Sequence, residues 1–163
     1  MGISGKSEPE YGLSDSPGPL LRRAHQIGVG IFLEECASFR ITPLQFSALW
    51  ALSKVDGGIP QIQLAGMIAL DRTTIAIVLA KLEKEGFVAR NRNPRNKRAN
   101  VVTMTEAGAR HLETMMSKVM AVQEKIIEPL TAEERVLFLR ALRKIAESNN
   151  QLSRAPMTLL PIE

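Results

Sequence analysis

The sequence contains few aromatic residues, one cysteine and no long apolar run. These scarcities restrict the disulfide bonds, the membrane spans and the core that the protein can have. A single cysteine, Cys36, excludes an intramolecular disulfide bond and agrees with a reducing compartment. No apolar run approaches the roughly 18 residues of a membrane span, and the N-terminus has no signal-peptide core, so we expect a cytoplasmic protein without membrane contact. With one Trp, one Tyr and five Phe in 163 residues, the core must be largely aliphatic, which suits helices.

Acidic residues are absent from one stretch, FVARNRNPRNKRAN at 87–100, which carries five cations. The whole chain has a formal net charge of +4, so the rest of it is close to neutral. A local cationic feature on a neutral protein indicates an anionic partner more clearly than a diffuse basic bias does. The cations are Arg90, Arg92, Arg95, Lys97 and Arg98, and we expect all of them to be unpaired.

The sequence also lacks the patterns of an enzyme or a metalloprotein. It has no Ser-His-Asp set at a useful spacing, no Gly-rich phosphate loop and no HExxH-like frame. His25, His111 and Cys36 match no spacing of metal ligands. Gly28 and Gly30 follow no strand and therefore make no dinucleotide motif. We predict no catalytic residue, no cofactor and no metal.

Apolar periodicity in the middle of the chain predicts two short helices joined by a turn. The first begins at Pro60, in PQIQLAGMIAL, and the second follows Asp71, a plausible N-cap. Only about three residues separate them, which matches a helix-turn-helix whose second helix enters a major groove. The second helix has a buried stripe at i, i+3, i+4 and i+7, formed by Ile75, Val78, Leu79 and Leu82.

The basic stretch follows this second helix directly. FVARNR and RANVVTM are strand-like runs on either side of a polar tip, where Pro94 suits a turn. The pattern predicts a β-hairpin, a wing beside the helix-turn-helix. Cations on such a wing can straddle a phosphate backbone and supply the non-specific part of DNA affinity.

Longer helices are predicted on both sides of this module. One spans 20–39 before a capping box at Thr42 and Gln45, one begins after Thr105 and breaks at Pro129, and one opens with a second capping box at Thr131. Helices flanking a DNA-reading module can pair with a second copy of themselves. The apolar, Pro-broken C-terminal tail is expected to dock, but the sequence does not indicate where.

The ordered set of motifs resembles a known family. DRTTIAIVLAKLEKEGFVARNRNPRNKRANVVTMTEAG is similar to the core signature of the MarR family of bacterial winged-helix regulators, in which a LekkGlveR segment leads into a basic wing and an LTekG helix start. QLAGMIALDRTT resembles the preceding helix-turn-helix, and the resemblance covers about residues 20–150. It implies a homodimer on a pseudopalindromic operator in double-stranded DNA, most often a repressor released by a small molecule bound between the dimerisation helices and the winged helix.

The predicted fold is mostly α with a small β-hairpin wing. A winged helix-turn-helix at 41–104 is flanked by dimerisation helices at 18–40 and 105–151. A mobile N-terminal arm at 1–17 and a tail at 152–163 complete the chain.

The resemblance implies DNA-binding roles residue by residue. Thr73 and Thr74 stand where the family places polar residues at the start of its recognition helix. Arg90 matches the arginine that closes the GlveR run, a backbone contact that also anchors the wing. The predicted DNA-binding residues are Gln61, Arg72, Thr73, Thr74, Ile77, Lys81, Arg90, Arg92, Arg95, Lys97 and Arg98.

Two departures from the family pattern bear on this prediction. Where the family often has acids before the basic pair of the wing, as in DpDDRR, this chain has only Asn, Pro and Arg at 93–96, which leaves the wing more cationic and less fixed. Ala76 and Ile77 replace a common Thr-Arg in the recognition helix. Ile77 either meets a thymine methyl or is simply an apolar surface residue.

The effector is predicted from cations beside the first helix. If a cleft there is the pocket, these cations can hold an anionic ligand, and aromatic residues of the next helix can line a slot for its ring. An aromatic acid or its CoA thioester would fit, although each residue taken singly also suits an ordinary surface or core position. The predicted ligand-binding residues are Arg22, His25, Arg40, Phe46 and Trp50.

Two other readings stay open. The same fold could serve as an adaptor or assembly protein whose basic wing binds an acidic partner, and steep salt dependence would distinguish DNA from that partner. Cys36 could sense oxidants, but the adjacent Glu34 and Glu35 would raise the pKa of its thiol, which favours a buried structural cysteine.

Overall fold

A computed structural model of the protein describes residues 12–93 and 96–158, apart from the side chains at positions 13 and 92–100. Most of the predicted arm at 1–17 and the end of the predicted tail therefore lie outside the described residues. Six α-helices and a small sheet occur within those ranges. The helices are α1 (Pro17–Glu35), α2 (Pro43–Leu52), α3 (Gln61–Met67), α4 (Arg72–Lys84), α5 (Glu106–Ile127) and α6 (Ala132–Ser148).

Capping chemistry sets the starts of the helices. Before α2, the Thr42 hydroxyl accepts the Gln45 amide hydrogen at 3.3 Å, and the Gln45 side chain accepts the Thr42 amide hydrogen at 2.8 Å. The same reciprocal pair, at 3.3 and 2.8 Å, joins Thr131 and Glu134 before α6. Both predicted capping boxes are thus confirmed, because each satisfies two amide groups that the first turn leaves without helical partners.

The sheet contains one more strand than the hairpin that was predicted. Its strands are β1 (Ile59–Pro60), β2 (Val88–Asn93) and β3 (Asn96–Met104), in the antiparallel order β1-β3-β2. The predicted wing is the β2–β3 hairpin, with an irregularity between Arg92 and Asn93. The short helix predicted from Pro60 is α3, which begins one residue later, at Gln61, with Pro60 as its N-cap. The prediction missed β1, in which Ile59 pairs with Val102 and buries its side chain.

One core joins the winged helix-turn-helix to α5. The predicted stripe of α4 is buried as expected, in contact with side chains from α2, α3, β3 and α5. The largest fully buried residues include Leu49, Leu64, Leu79, Leu82, Val102 and Met115. This packing holds α4 and the wing together as one unit against α5.

The outer helices bury much less. No residue of α6 is buried, and large apolar side chains along α1 and α6 are exposed in the single chain. Those exposed side chains include Leu20, Leu21, Ile27, Val136, Leu137, Leu139 and Ile145. Among the described residues no single helix is long and apolar enough to cross a membrane, although the pair α3–α4, bent by 106°, reaches that length and composition jointly.

Candidate nucleic-acid interface and adjoining cleft

Asp71 caps helix α4 and controls the geometry of its first turn. Its Oδ1 accepts the amide hydrogens of Thr73 and Thr74 at 2.9 Å each, and its Oδ2 accepts the Thr74 hydroxyl at 2.8 Å. These hydrogen bonds, those from Thr74 above all, lower the pKa of the Asp71 carboxyl. The hydroxyl hydrogen of Thr74 is therefore engaged within the protein, which leaves Thr73 as the freer of the two predicted polar contacts.

The exposed face of α4 carries a short row of predicted DNA-binding residues. Thr73, Ile77 and Lys81 stand at i, i+4 and i+8, opposite the buried stripe, with Arg72 exposed at the helix start. Ile77 is 55% exposed, so its side chain is available to a partner. Gln61, also predicted to bind DNA, is half-buried at the first position of α3. A helix with a solvent-facing row of side chains and a packed opposite stripe can enter a groove without losing its own core.

Arg90 joins the wing to α4. Its Nε donates to Glu83 Oε2 at 2.9 Å, its Nη2 donates to the same oxygen, and its amide nitrogen donates to Glu83 Oε1 at 3.3 Å. The pairing lowers the pKa of the Glu83 carboxyl, mainly through the side-chain hydrogen bond from Arg90. The expectation that every wing cation is unpaired is therefore wrong for Arg90. Sequence reasoning missed Glu83 because the acid was sought within the wing, whereas it lies seven residues upstream on a helix.

The other predicted wing cations are only partly described. The backbones of Arg92, Lys97 and Arg98 lie on β2 and β3, and their side chains are outside the described residues, as is all of Arg95. Their DNA-binding roles stay predictions.

A cleft of about 470 Å³ lies beside the exposed face of α4. One face of α1, the start of α2 and one side of α4 form its walls. Its apolar lining consists of Val29, Leu33, Pro43, Leu44, Ile77 and Val78, and its polar lining of His25, Thr42, Gln45, Thr74 and Lys81. Among these lining residues none is acidic and two carry or can carry positive charge, so the cleft suits a small apolar ligand with a negative group.

The structure brings together residues that were predicted for two different roles. Thr74, Ile77 and Lys81 were predicted to bind DNA, and His25 was predicted to bind the effector, but all four line the same cleft. The residues are shared because the cleft lies beside the exposed face of α4, so that Ile77 and Lys81 border both the cleft and solvent. It had no signal in the sequence, because α1 and α4 are separated by more than one helix.

The other predicted effector residues do not line this cleft. Phe46 packs its ring 5.9 Å from that of Phe32, and Trp50 is 45% exposed with the Lys54 ammonium 5.1 Å from its ring centroid. Arg22 is exposed on α1, and Arg40 is exposed in a left-handed turn, with φ 52°. Phe46 and Trp50 stand one turn apart on α2, and the Phe32 ring that Phe46 meets belongs to α1. The ligand-binding roles of all four residues stay predictions.

Two residues considered for metal or redox chemistry are packed into the interior. The His111 ring stacks on Phe87, with 4.2 Å between centroids, and meets the edge of Phe39 at 5.6 Å. Burial lowers the pKa of His111, and its Nε2 has no hydrogen-bond partner among the described residues. Cys36 is 1% exposed, and burial, followed by the charge of Glu35, raises the pKa of its thiol. Both effects disfavour a reactive thiolate.

Comparison with known proteins covers nearly the whole described chain. Residues 41–99 match the sequence profile of the MarR family. The HTH-type transcriptional repressor NicR of Pseudomonas putida is 32% identical over 139 residues, which cover 85% of this chain and 87% of NicR.

Two solved structures share the fold at a comparable identity. BpsR of Bordetella bronchiseptica, whose DNA binding is regulated by 6-hydroxynicotinic acid, has a TM-score of 0.78 at 29% identity, over 83% of this chain and 96% of BpsR. The transcriptional repressor CouR, bound to a 23-mer DNA duplex, has a TM-score of 0.76 at 30% identity, over 86% of this chain and 99% of CouR. Winged helix, flanking helices and their order thus agree with those of proteins that bind DNA.

Proposed function

This chain belongs to the MarR family of transcriptional regulators, and from that membership we propose a specific mode of action. The protein is a homodimeric repressor that binds a pseudopalindromic operator through α4 and the wing. A small aromatic acid enters the cleft between α1, α2 and α4 and releases the repressor from DNA. The protein acts in the cytoplasm, where its operator is.

The observation that carries this proposal is the set of residues shared by the cleft and α4. Lys81 lines the cleft and also belongs to the exposed row of α4. An anion in the cleft would attract the Lys81 ammonium that a DNA phosphate would otherwise attract. Because Thr74, Ile77 and Lys81 are on one rigid helix, a ligand that prefers one placement of α4 shifts the population away from the DNA-bound placement.

The size and lining of the cleft support a single-ring acid. A volume of about 470 Å³ lies in the usual range for small-molecule sites, whereas a CoA thioester would extend far outside it. Val29, Leu33 and Ile77 offer apolar contact for a ring. The Lys81 ammonium and the His25 imidazole offer polar contact for a carboxylate. The regulation of BpsR by 6-hydroxynicotinic acid makes that compound the first effector to test.

The exposed apolar faces of α1 and α6 support a homodimer. Soluble monomers rarely expose contiguous apolar patches of that kind, and a two-fold axis through these helices would present two copies of α4 to one duplex. A dimer places its recognition helices about one helical turn of DNA apart, roughly 34–36 Å, so the operator should be pseudopalindromic.

The test is a titration of a labelled duplex from the DNA that flanks the protein's own gene. Binding is measured at 50 and 200 mM salt, with 6-hydroxynicotinic acid, with its neutral amide and with a CoA thioester of an aromatic acid. We expect binding that weakens by orders of magnitude at the higher salt and is abolished by the acid, not by the amide. Absence of binding at both salts, once a remote operator has been excluded, would instead favour the adaptor reading.

A pair of variants on α1 tests the cleft. His25→Ala is expected to bind operator as the wild type does but to require a higher concentration of the acid for release. Arg22→Ala, which removes a cation one turn away and outside the cleft, is the matched control. If His25→Ala is released from DNA by the same concentration of acid as the wild type, while Arg22→Ala requires more, the effector site does not lie in this cleft.

A second set of variants tests how DNA is contacted. Arg95→Ala and Arg98→Ala should each weaken binding to operator and random duplexes alike, since they remove phosphate contacts. Thr73→Ala should instead narrow the difference between operator and random DNA. Normal binding by both wing variants, while they remain dimeric, would contradict the proposed role of the wing.

A further inference from the structure

The C-terminal segment after α6 folds back onto the helix-turn-helix. The amide nitrogen of Thr158 donates to the carbonyl oxygen of Gly66 in α3 at 2.8 Å. Asn150 closes the intervening loop, because its Nδ2 donates to the Met157 carbonyl at 2.9 Å and its Oδ1 accepts the Met157 amide hydrogen at 2.8 Å. We call residues 150–158 the C-terminal strap. It ends on the module that binds DNA.

Gly66 is the residue of α3 against which Thr158 of the strap packs. A Cβ atom there would lie 2.5 Å from Thr158 Oγ1 and 3.2 Å from Thr158 Cβ. The backbone of Gly66 has no positive φ, so the turn geometry does not require glycine. Glycine is unfavourable within a helix, and close approach of the strap is the reason this structure offers for its presence.

Docking of the strap places Arg154 near the start of α4. Arg154 is exposed, and within the described part of the chain no carboxylate lies within 4.0 Å of its guanidinium. Its charge reaches Asp71, the N-cap of α4, and adds to the hydrogen bonds of Thr74 in lowering the pKa of that carboxyl. Arg154 thus lies near the end of the recognition helix that begins with Arg72.

We propose that Arg154 is an additional DNA-binding residue, which the C-terminal strap carries to the edge of the helix-turn-helix for contact with a backbone phosphate. The proposal rests on the DNA-binding function proposed above for α4. An exposed arginine without a close acid retains its donors for phosphate oxygens, and its planar guanidinium suits them. Such a contact would position the protein on any sequence rather than select a base.

The salt dependence of DNA binding tests this contact in the full-length protein. The logarithm of the association constant is measured against the logarithm of salt concentration by fluorescence anisotropy, for an operator and a random duplex. Arg154→Ala should reduce the magnitude of the slope by about 0.9 for each lost contact, and so by about 1.8 for a dimer, on both duplexes. Arg154→Lys should retain most of the slope. Arg143→Ala, which removes an exposed arginine of α6, is the matched control and should leave it unchanged.

Two further variants are designed to undock the strap without removing a charge. Gly66→Ala introduces the methyl group that Thr158 excludes, and Asn150→Ala opens the loop. Each should lower the slope as Arg154→Ala does, and adding Arg154→Ala to either should change nothing more.

The outcomes separate this proposal from the function on which it rests. If undocking weakens DNA binding while Arg154→Ala retains the wild-type slope, the strap only supports α3 and the proposed contact is wrong. Failure of the wild type to bind any duplex would overturn the DNA-binding function itself.

Discussion

Gly108, in the first turn of α5, packs this helix against the base of the wing, and its replacement by alanine should destabilise the protein. A Cβ atom there would overlap the carbonyl oxygen of Phe87 and would lie 3.0 Å from its carbonyl carbon and 3.1 Å from Met104 Cγ. That oxygen belongs to the backbone and accepts the amide hydrogen of Thr105 at 3.0 Å. Neither a rotamer change nor a side-chain shift can therefore make room for the methyl group.

The expected magnitude follows from three effects. Forcing a methyl group into a packed site costs about 1–3 kcal/mol, and weakening one backbone hydrogen bond costs about 0.5–1.5 kcal/mol. The better helix propensity of alanine offsets about 1 kcal/mol. The free energy of unfolding should thus fall by about 2 kcal/mol, which lowers Tm by roughly 4–8 °C for a chain of this size.

Thermal unfolding at one fixed protomer concentration measures the effect, since the stability of a dimer depends on concentration. Gly30→Ala is the matched control, because Gly30 is also helical but a Cβ atom there would meet nothing within 4 Å. The two variants change the unfolded chain in the same way. We expect Gly30→Ala to raise Tm, and a Gly108→Ala protein that melts at or above the wild-type temperature would refute the packing argument.

Three further predictions concern other contacts. Arg90 lowers the pKa of the Glu83 carboxyl, so their ion pair stabilises the fold at any pH above the ordinary carboxyl pKa, and this stabilisation is lost as the pH falls through the lowered pKa. Glu83→Gln should therefore reduce Tm at pH 7 more than at pH 3.5. An equal reduction of Tm at both pH values would contradict the pairing. Burial lowers the pKa of His111, so the imidazole of the unfolded chain is protonated at a higher pH than that of the folded chain, and the free energy of unfolding should fall below about pH 6.5. His111→Phe should therefore flatten the change in Tm between pH 7 and 5. An unchanged dependence of Tm on pH would contradict the buried, neutral state of His111. Leu137→Glu, on the exposed face of α6, should convert the dimer to monomer in sedimentation velocity and weaken operator binding, whereas a stable dimer would place the interface elsewhere.

The motifs that sequence reasoning found are those whose physical causes are local. The buried stripe of α4 is readable because every third or fourth residue of a helix faces one side. The two capping boxes are readable because each joins residues three positions apart. The wing hairpin is readable from its strand-like runs and the turn between them. The structure confirmed the stripe, the two capping boxes and the pairing of the two wing strands, while the tip of the wing lies outside the described residues.

Sequence reasoning was incomplete where the structure around a residue depends on its contacts with another element. The β1 strand pairs only because β3 returns beside Ile59, so the sequence before the predicted helix gave no sign of a strand. Phe46 and Trp50 have the composition of a ligand slot, but neither lines the cleft between α1, α2 and α4.

The sequence by itself determined the helix-turn-helix, the cationic wing and the flanking helices, because periodicity, caps and charge act over a few residues. The order of its motifs also carried the resemblance to the family. Tertiary structure alone decided that Glu83 holds Arg90, that α1 and α4 share a cleft, and that the C-terminal strap ends at Gly66. Those contacts join residues from different elements, which are consecutive along the chain for Glu83 and Arg90 and distant in the other two cases. They depend on how whole elements pack, and no local pattern in the sequence records the distance between two packed surfaces.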